Sequence, residues 1–157
     1  MSRAQVQELM EAGDFSSASA ILATQLANTA QSDADQNTQP HETKAERLET
    51  LYLSAVCARY QDDLKAARAF VQQVFDIEPF LGRAFLEEAH ICRAENRVRE
   101  ALSNYQRASE ANPAILAAWR EQIKILEASN QTAMAGHARA ELAYYESLPP
   151  EVLRAHH

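Results

Sequence analysis

The chain has 157 residues, 46% of them hydrophobic, which is enough for a buried core and argues against wholesale disorder. A formal net charge of -7 is the wrong sign for a general nucleic-acid binder, and the longest apolar runs are far too short to span a bilayer. Three glycines, five prolines and no sustained alternation of polar and apolar residues point to an all-α fold.

The N-terminus, MSRAQVQELM, carries no charged-then-apolar leader, so a secretory signal is not expected. Cys57 and Cys92 are the only thiols, and both sit in apolar, helical contexts, which fits a reducing cytoplasm. Residues 1–29 read as a helical hairpin. Val6 and Leu9 serve its first helix, Gly13 the turn, and Ala18 and Leu22 the second helix. Residues 30–42 are polar and poor in apolar side chains, and read as a loop. A longer helix is expected from near Glu42 to about Tyr60.

From there the chain repeats. Lines started at Leu51, Phe85 and Trp119 align without a gap at a spacing of 34 residues. The columns form one helical stripe: Leu51, Phe85 and Trp119; then Ala55, Ala89 and Ile123; then Ala58, Cys92 and Leu126. Polar turns follow around Asp62, Asn96 and Asn130. In the second helix of each line a small residue recurs at Ala67, Ala101 and Ala135, which allows close helix approach. Val71, Tyr105 and Arg139 make the next column, then Val74, Ala108 and Leu142. The repeats occupy 48–81, 82–115 and 116–148, with the divergent hairpin of 1–29 as a first copy. The step from Ala18 to Ala67 is 49, so about fifteen residues are inserted after that copy. Asn112-Pro113 reads as an N-cap followed by proline at the first helical position. Pro149 and Pro150 stop the last repeat, and Pro150 can start a helix in 150–157. One domain over 1–157 is expected.

This pattern resembles the tetratricopeptide repeat, W-x2-L-G-x2-Y, then A-x3-F, then P, at 34 residues per helix–turn–helix unit. Phe85, Ala89, Cys92, Ala101, Tyr105, Ala108 and Pro113 carry the likeness best. Arg139 departs from it where an aromatic is usual, and Ser147 replaces the proline. The resemblance implies an α-solenoid of about four antiparallel helix pairs. The segment AFLEEAHICRAENRVREALSNYQRASEANPAILAAW, with the LPP after the last repeat, is also similar to the N-terminal repeat region of bacterial proteins that carry a sulfotransferase domain. That likeness implies an accessory or oligomerising domain of a larger enzyme, in which the repeats could pair as a homodimer. The glycines Gly13, Gly82 and Gly136 are scattered singly, so no phosphate loop is encoded and no catalytic residue carries over.

The stretch FLEEAHICRAEN, Phe85 to Asn96, raises a chemical alternative. Glu87 and His90 are three apart and share a helix face, a spacing used in di-iron bundles. Such sites need a second Glu-x-x-His as well as two more glutamates, and no second Glu-x-x-His occurs in this chain. Cys92 falls in the buried stripe, without a base or helix N-terminus to activate it, and GxSxG is absent. No catalytic residue, metal ligand set or cofactor is expected, and the chain reads as a non-enzymatic binding module.

In tetratricopeptide arrays the first helix of each repeat lines a concave face. Carried onto this chain, the columns facing away from the packing stripe are Tyr52, Leu86 and Arg120; Val56, His90 and Lys124; and Arg59, Arg93 and Glu127. Glu49, Arg83 and Ala117 form a fourth such column, and Glu87 and Glu121 lie beside them. The candidate partner-binding residues are therefore Tyr52, Val56, Arg59, Arg83, Leu86, Glu87, His90, Arg93, Arg120 and Lys124. A basic strip within an acidic chain favours a protein or peptide partner that offers an acidic peptide, a carboxylate terminus or an acidic surface, against the alternative of solvated positions paired locally with the glutamates. Leu53 and Glu87 stand where the chaperone-tail clamp of related proteins wants Asn or Arg, which disfavours that ligand.

Overall fold

The computed structural model describes residues 3–34 and 43–155, with side chains over 3–28 and 43–155. Among the described residues there are nine α-helices and no strand. The chain divides into two compact units, Met1–Pro79 and Phe80–His157, where the sequence alone suggests one domain. The division falls after a repeat's second helix, close to the join expected between 81 and 82.

The first unit holds α1 (Arg3–Glu11), α2 (Phe15–Ala34), α3 (Lys44–Tyr60) and α4 (Leu64–Ile77). Each packs on its chain neighbour. Helix starts follow from capping side chains. Asp14 accepts the Ser17 N–H at 3.1 Å ahead of α2. Hydrogen bonds from the Ser17 side chain and then its backbone hold the Asp14 carboxyl below the usual range. Thr43 accepts the Glu46 N–H at 3.1 Å, so α3 begins at Lys44 rather than Glu42. Asp63 accepts the Ala66 N–H at 3.1 Å ahead of α4. The polar loop expected over 30–42 starts later than the composition suggests, because α2 continues to Ala34. Residues 35–42 lie outside the described residues. Val6, Ala18, Leu22, Leu53 and Cys57 form a core that joins α1, α2 and α3.

The second unit holds α5 (Gly82–Ala94), α6 (Val98–Ala111), α7 (Leu116–Ala128), α8 (Thr132–Glu146) and α9 (Pro150–Arg154). Helices α5 to α8 again pack in chain order. One cluster runs from Ala89 and Cys92 on α5, through Ala101, Tyr105 and Ala108 on α6, to Ala118 and Ile125 on α7. A second joins Trp119 and Leu126 of α7 to Ala135 and Ala138 of α8. Gly82 lets α5 start hard against the end of α6. A Cβ there would lie 3.2 Å from Asn112 Cβ, 3.3 Å from the Ala108 carbonyl and 2.8 Å from Ile115 Cδ1. Asn112 is not the N-cap of α7. It ends α6, and its side chain accepts the Ala114 N–H at 3.0 Å, so the chain turns for three residues before α7 begins at Leu116. Pro150 does occupy the first turn of α9.

The hairpin turns share one geometry. Gly13, Asp62, Asn96 and Asn130 have φ of 82°, 62°, 63° and 58°, the left-handed region. In each turn that residue's N–H bonds to the carbonyl three back: Met10, Arg59, Arg93 or Glu127, at 3.0 to 3.1 Å. The following N–H bonds to the carbonyl five back: Leu9, Ala58, Cys92 or Leu126, at 2.8 to 2.9 Å. This pair of bonds closes a helix and satisfies its last carbonyls, and it needs a residue that tolerates positive φ. Glycine, asparagine and aspartate are the residues that do. The last three turns are spaced by 34 residues, and the first precedes them by 49.

Candidate interaction surface

The packing columns account for most of the repeat positions. Ala55, Ala89, Ala67, Ala101, Ala135, Ala108 and Tyr105 are fully buried, and Leu51, Cys92, Leu126, Val71 and Val74 nearly so. Arg139 is the exception: it is exposed and pairs with Glu127 at 2.5 Å.

The ten candidate contact residues separate by unit. In the first unit all three lie on α3. Val56 is buried, 9% exposed, and Tyr52 is half-buried against the α1–α2–α3 core. Arg59 places its guanidinium 4.7 Å from the ring centroid of the exposed Tyr60, which itself stacks on Phe15 at 4.5 Å.

In the second unit α5 carries five of them and α7 two. Leu86 and Glu87 are buried, 9% and 1% exposed, and are corrected from the open face to the interior. The residues buried on α5 include Ala84, Leu86, Glu87, Ala89, Ile91 and Cys92, so it is enclosed on more than one side. A single apolar stripe was too narrow a reading of that helix. His90 is half-buried, and its Nδ1 lies 2.7 Å from the hydroxyl of Tyr105. This hydrogen bond satisfies the one polar atom of a fully buried tyrosine. Arg83 is half-buried at the start of α5. Arg93, Arg120 and Lys124 are exposed.

The three exposed bases are held by glutamates. Arg93 of α5 and Lys124 of α7 both reach Glu121, Lys124 at 3.2 Å, so one carboxylate joins the two helices and leaves one positive charge in excess. Arg120 reaches Glu146 of α8 at 3.0 Å. The Arg120–Glu146 pair is exposed on both sides and contributes at most about 1 kcal/mol, whereas the Glu121 side chain that Arg93 and Lys124 share is largely buried, 17% exposed.

Gln122 is a structural residue that the pattern did not single out. Buried on α7, it donates through Nε2 to the Tyr105 carbonyl at 3.2 Å and the Ser109 hydroxyl at 3.0 Å, and so ties α7 to α6. Its neighbours one turn either side, Ala118 and Ile125, were the available signal of burial.

Neither thiol has the setting of a nucleophile. Burial pushes the Cys57 thiol up, against a smaller opposing hydrogen bond from Ser19, and so disfavours the thiolate. Cys92 is buried, with Sγ 3.7 Å from Glu88 Oε1. Among the described residues no three His, Cys, Asp or Glu side chains come together as a metal-binding group. No described helix is long and apolar enough to cross a membrane. No known family model matches the chain, and no curated protein is significantly similar to it.

Proposed function

We propose that the chain is a tetratricopeptide-type repeat protein that binds an acidic protein or peptide through the open sides of α5 and α7. The family reading is supported by the recurrence of one left-handed turn at Asp62, Asn96 and Asn130, with a small buried residue at a fixed distance after each. The binding reading rests on one observation: Arg93, Arg120 and Lys124 stand exposed while the packing positions of the same helices are buried.

The second unit is the better docking platform for an acidic partner. Met1–Pro79 carries six Lys and Arg against twelve Asp and Glu, whereas Phe80–His157 carries nine against ten. Net repulsion of an acidic partner is therefore weaker there. The partner's carboxylates would replace the exposed Glu146 on Arg120 and meet the excess positive charge of Arg93 and Lys124 beside Glu121. Because α5 and α7 are already packed, little chain ordering opposes binding, and the charges steer the encounter.

The test uses the full chain immobilised as bait for a native cell extract. The variant Arg120→Glu/Lys124→Glu is expected to lose its specific captured proteins by about tenfold or more, since like charges across an interface oppose association. Equal capture by a variant with an unchanged circular dichroism spectrum contradicts the reading.

A further inference from the structure

Beside the Arg93 and Lys124 heads lies an open cleft of about 340 Å³, lined by Arg93, Val98, Lys124, Ile125, Ala128 and Ser129. Its chemistry is divided. The two bases stand at one end and share Glu121, which leaves a single positive charge in excess. The other walls are apolar. Ile125 forms a buried wall, and Val98, at the start of α6, is 49% exposed. The Ser129 hydroxyl is turned away into its own helix end, donating to the Ile125 and Leu126 carbonyls at 3.0 and 3.2 Å. That corner therefore offers no free hydroxyl to a polar ligand.

We propose that this cleft is a subsite for an acidic–aliphatic pair within an internal segment of a partner chain. It rests on the reading of α5 and α7 as a contact face and names the part of the partner that is read. The partner's side-chain carboxylate meets the positive charge that Arg93 and Lys124 carry in excess of Glu121, on the exposed sides of the two bases. The adjacent aliphatic side chain covers Val98 and Ala128. The volume suits about one dipeptide unit, at the small end of the usual range for ligand pockets. Charge decides against a basic ligand, because the two bases that line the cleft carry one positive charge in excess of Glu121. The apolar walls decide against a small inorganic anion, which would need several donors in place of Val98, Ile125 and Ala128. The apolar half supplies affinity by covering exposed surface, and the charged half supplies selection for acid over amide.

The test titrates the isotope-labelled full chain with an N-acetylated, C-terminally amidated hexapeptide bearing a central Asp-Leu pair, followed by nuclear magnetic resonance. Amide shifts are expected to concentrate at Arg93, Val98, Lys124 and Ala128. The Asn-Leu and Asp-Ser versions should each bind about tenfold more weakly, since each loses one of the two contacts. Val98→Asp should weaken the Asp-Leu peptide by a similar factor while leaving the amide spectrum of the fold intact, because Val98 is half-exposed at the first turn of α6. Equal affinity for the three peptides, shifts confined to other residues, or no binding of the Asp-Leu peptide would overturn the subsite. If that happens while capture from the extract still depends on Arg120 and Lys124, the subsite alone is wrong. If capture is also independent of those bases, the contact face is wrong as well.

Discussion

The hairpins α5–α6 and α7–α8 are built on the same frame and differ in how they close it. Both turn through an asparagine at positive φ, Asn96 or Asn130, with the same two backbone bonds. Both place a fully buried alanine early in the second helix, Ala101 or Ala135. They part at the next column. Tyr105 is fully enclosed between α5 and α7 and reaches His90 with its hydroxyl, whereas Arg139 stands exposed and pairs with Glu127. The turn is thus dictated by local backbone chemistry and repeats wherever a hairpin is needed. The column residue is dictated by what packs over it, and changes when the surroundings change.

The largest test of that contrast is alanine at the two column positions. Tyr105→Ala removes a buried aromatic and is expected to cost about 3–5 kcal/mol in urea unfolding. Arg139→Ala removes an exposed pair, and its expected cost is under about 0.5 kcal/mol. Comparable losses would mean that the two hairpins close alike. Next comes the frame itself. Gly82→Ala forces a Cβ against Asn112 and the Ala108 carbonyl and is expected to cost about 2 kcal/mol by overpacking. A neutral result would show that the α5–α6 contact yields. Gln122→Ala should cost about 1.5 kcal/mol, because the Ser109 hydroxyl and the Tyr105 carbonyl lose a buried donor. Its effect should exceed that of alanine at the exposed neighbour Lys124.

The turns provide the matching control, where the hairpins should behave alike. Asn96→Ala and Asn130→Ala each put a Cβ-bearing residue without a local hydrogen-bonding side chain at positive φ. Each is expected to cost about 1 kcal/mol, with the glycine variants at or above wild-type stability. A difference between the two alanine variants as large as either effect would break the claim that the turn is local.

The same division explains what could be read from the sequence. The turns were legible at Gly13, Asp62, Asn96 and Asn130 because few residues accept a left-handed backbone. The alanine columns were legible because close helix approach admits little else. Asn112-Pro113 was misread because asparagine can end one helix as well as begin the next, and here it does the former while its side chain shapes the turn. The end of α2 was misread because polar residues such as Gln31 and Ser32 do not forbid helix, and α2 continues through them to Ala34. Glu87 was placed outside because a carboxylate is seldom buried, and the apolar Leu86 and Ile91 on other sides of α5 were the overlooked signal. Gln122 was passed over on the same ground. For the contact face, the exposed heads of Arg93, Arg120 and Lys124 follow from the packing stripe, but their shared carboxylates Glu121 and Glu146 depend on how helices far apart in sequence come together.

The last expected change carries the most weight for function. If the bases of α5 and α7 serve contact and not architecture, reversing them should barely touch the fold. Urea unfolding of Arg120→Glu/Lys124→Glu is therefore expected to lie within about 2 kcal/mol of wild type, the scale of two such ion pairs. A loss of several kcal/mol would show that these ion pairs hold the helices together, and would contradict the account of α5 and α7 as a face kept open for a partner.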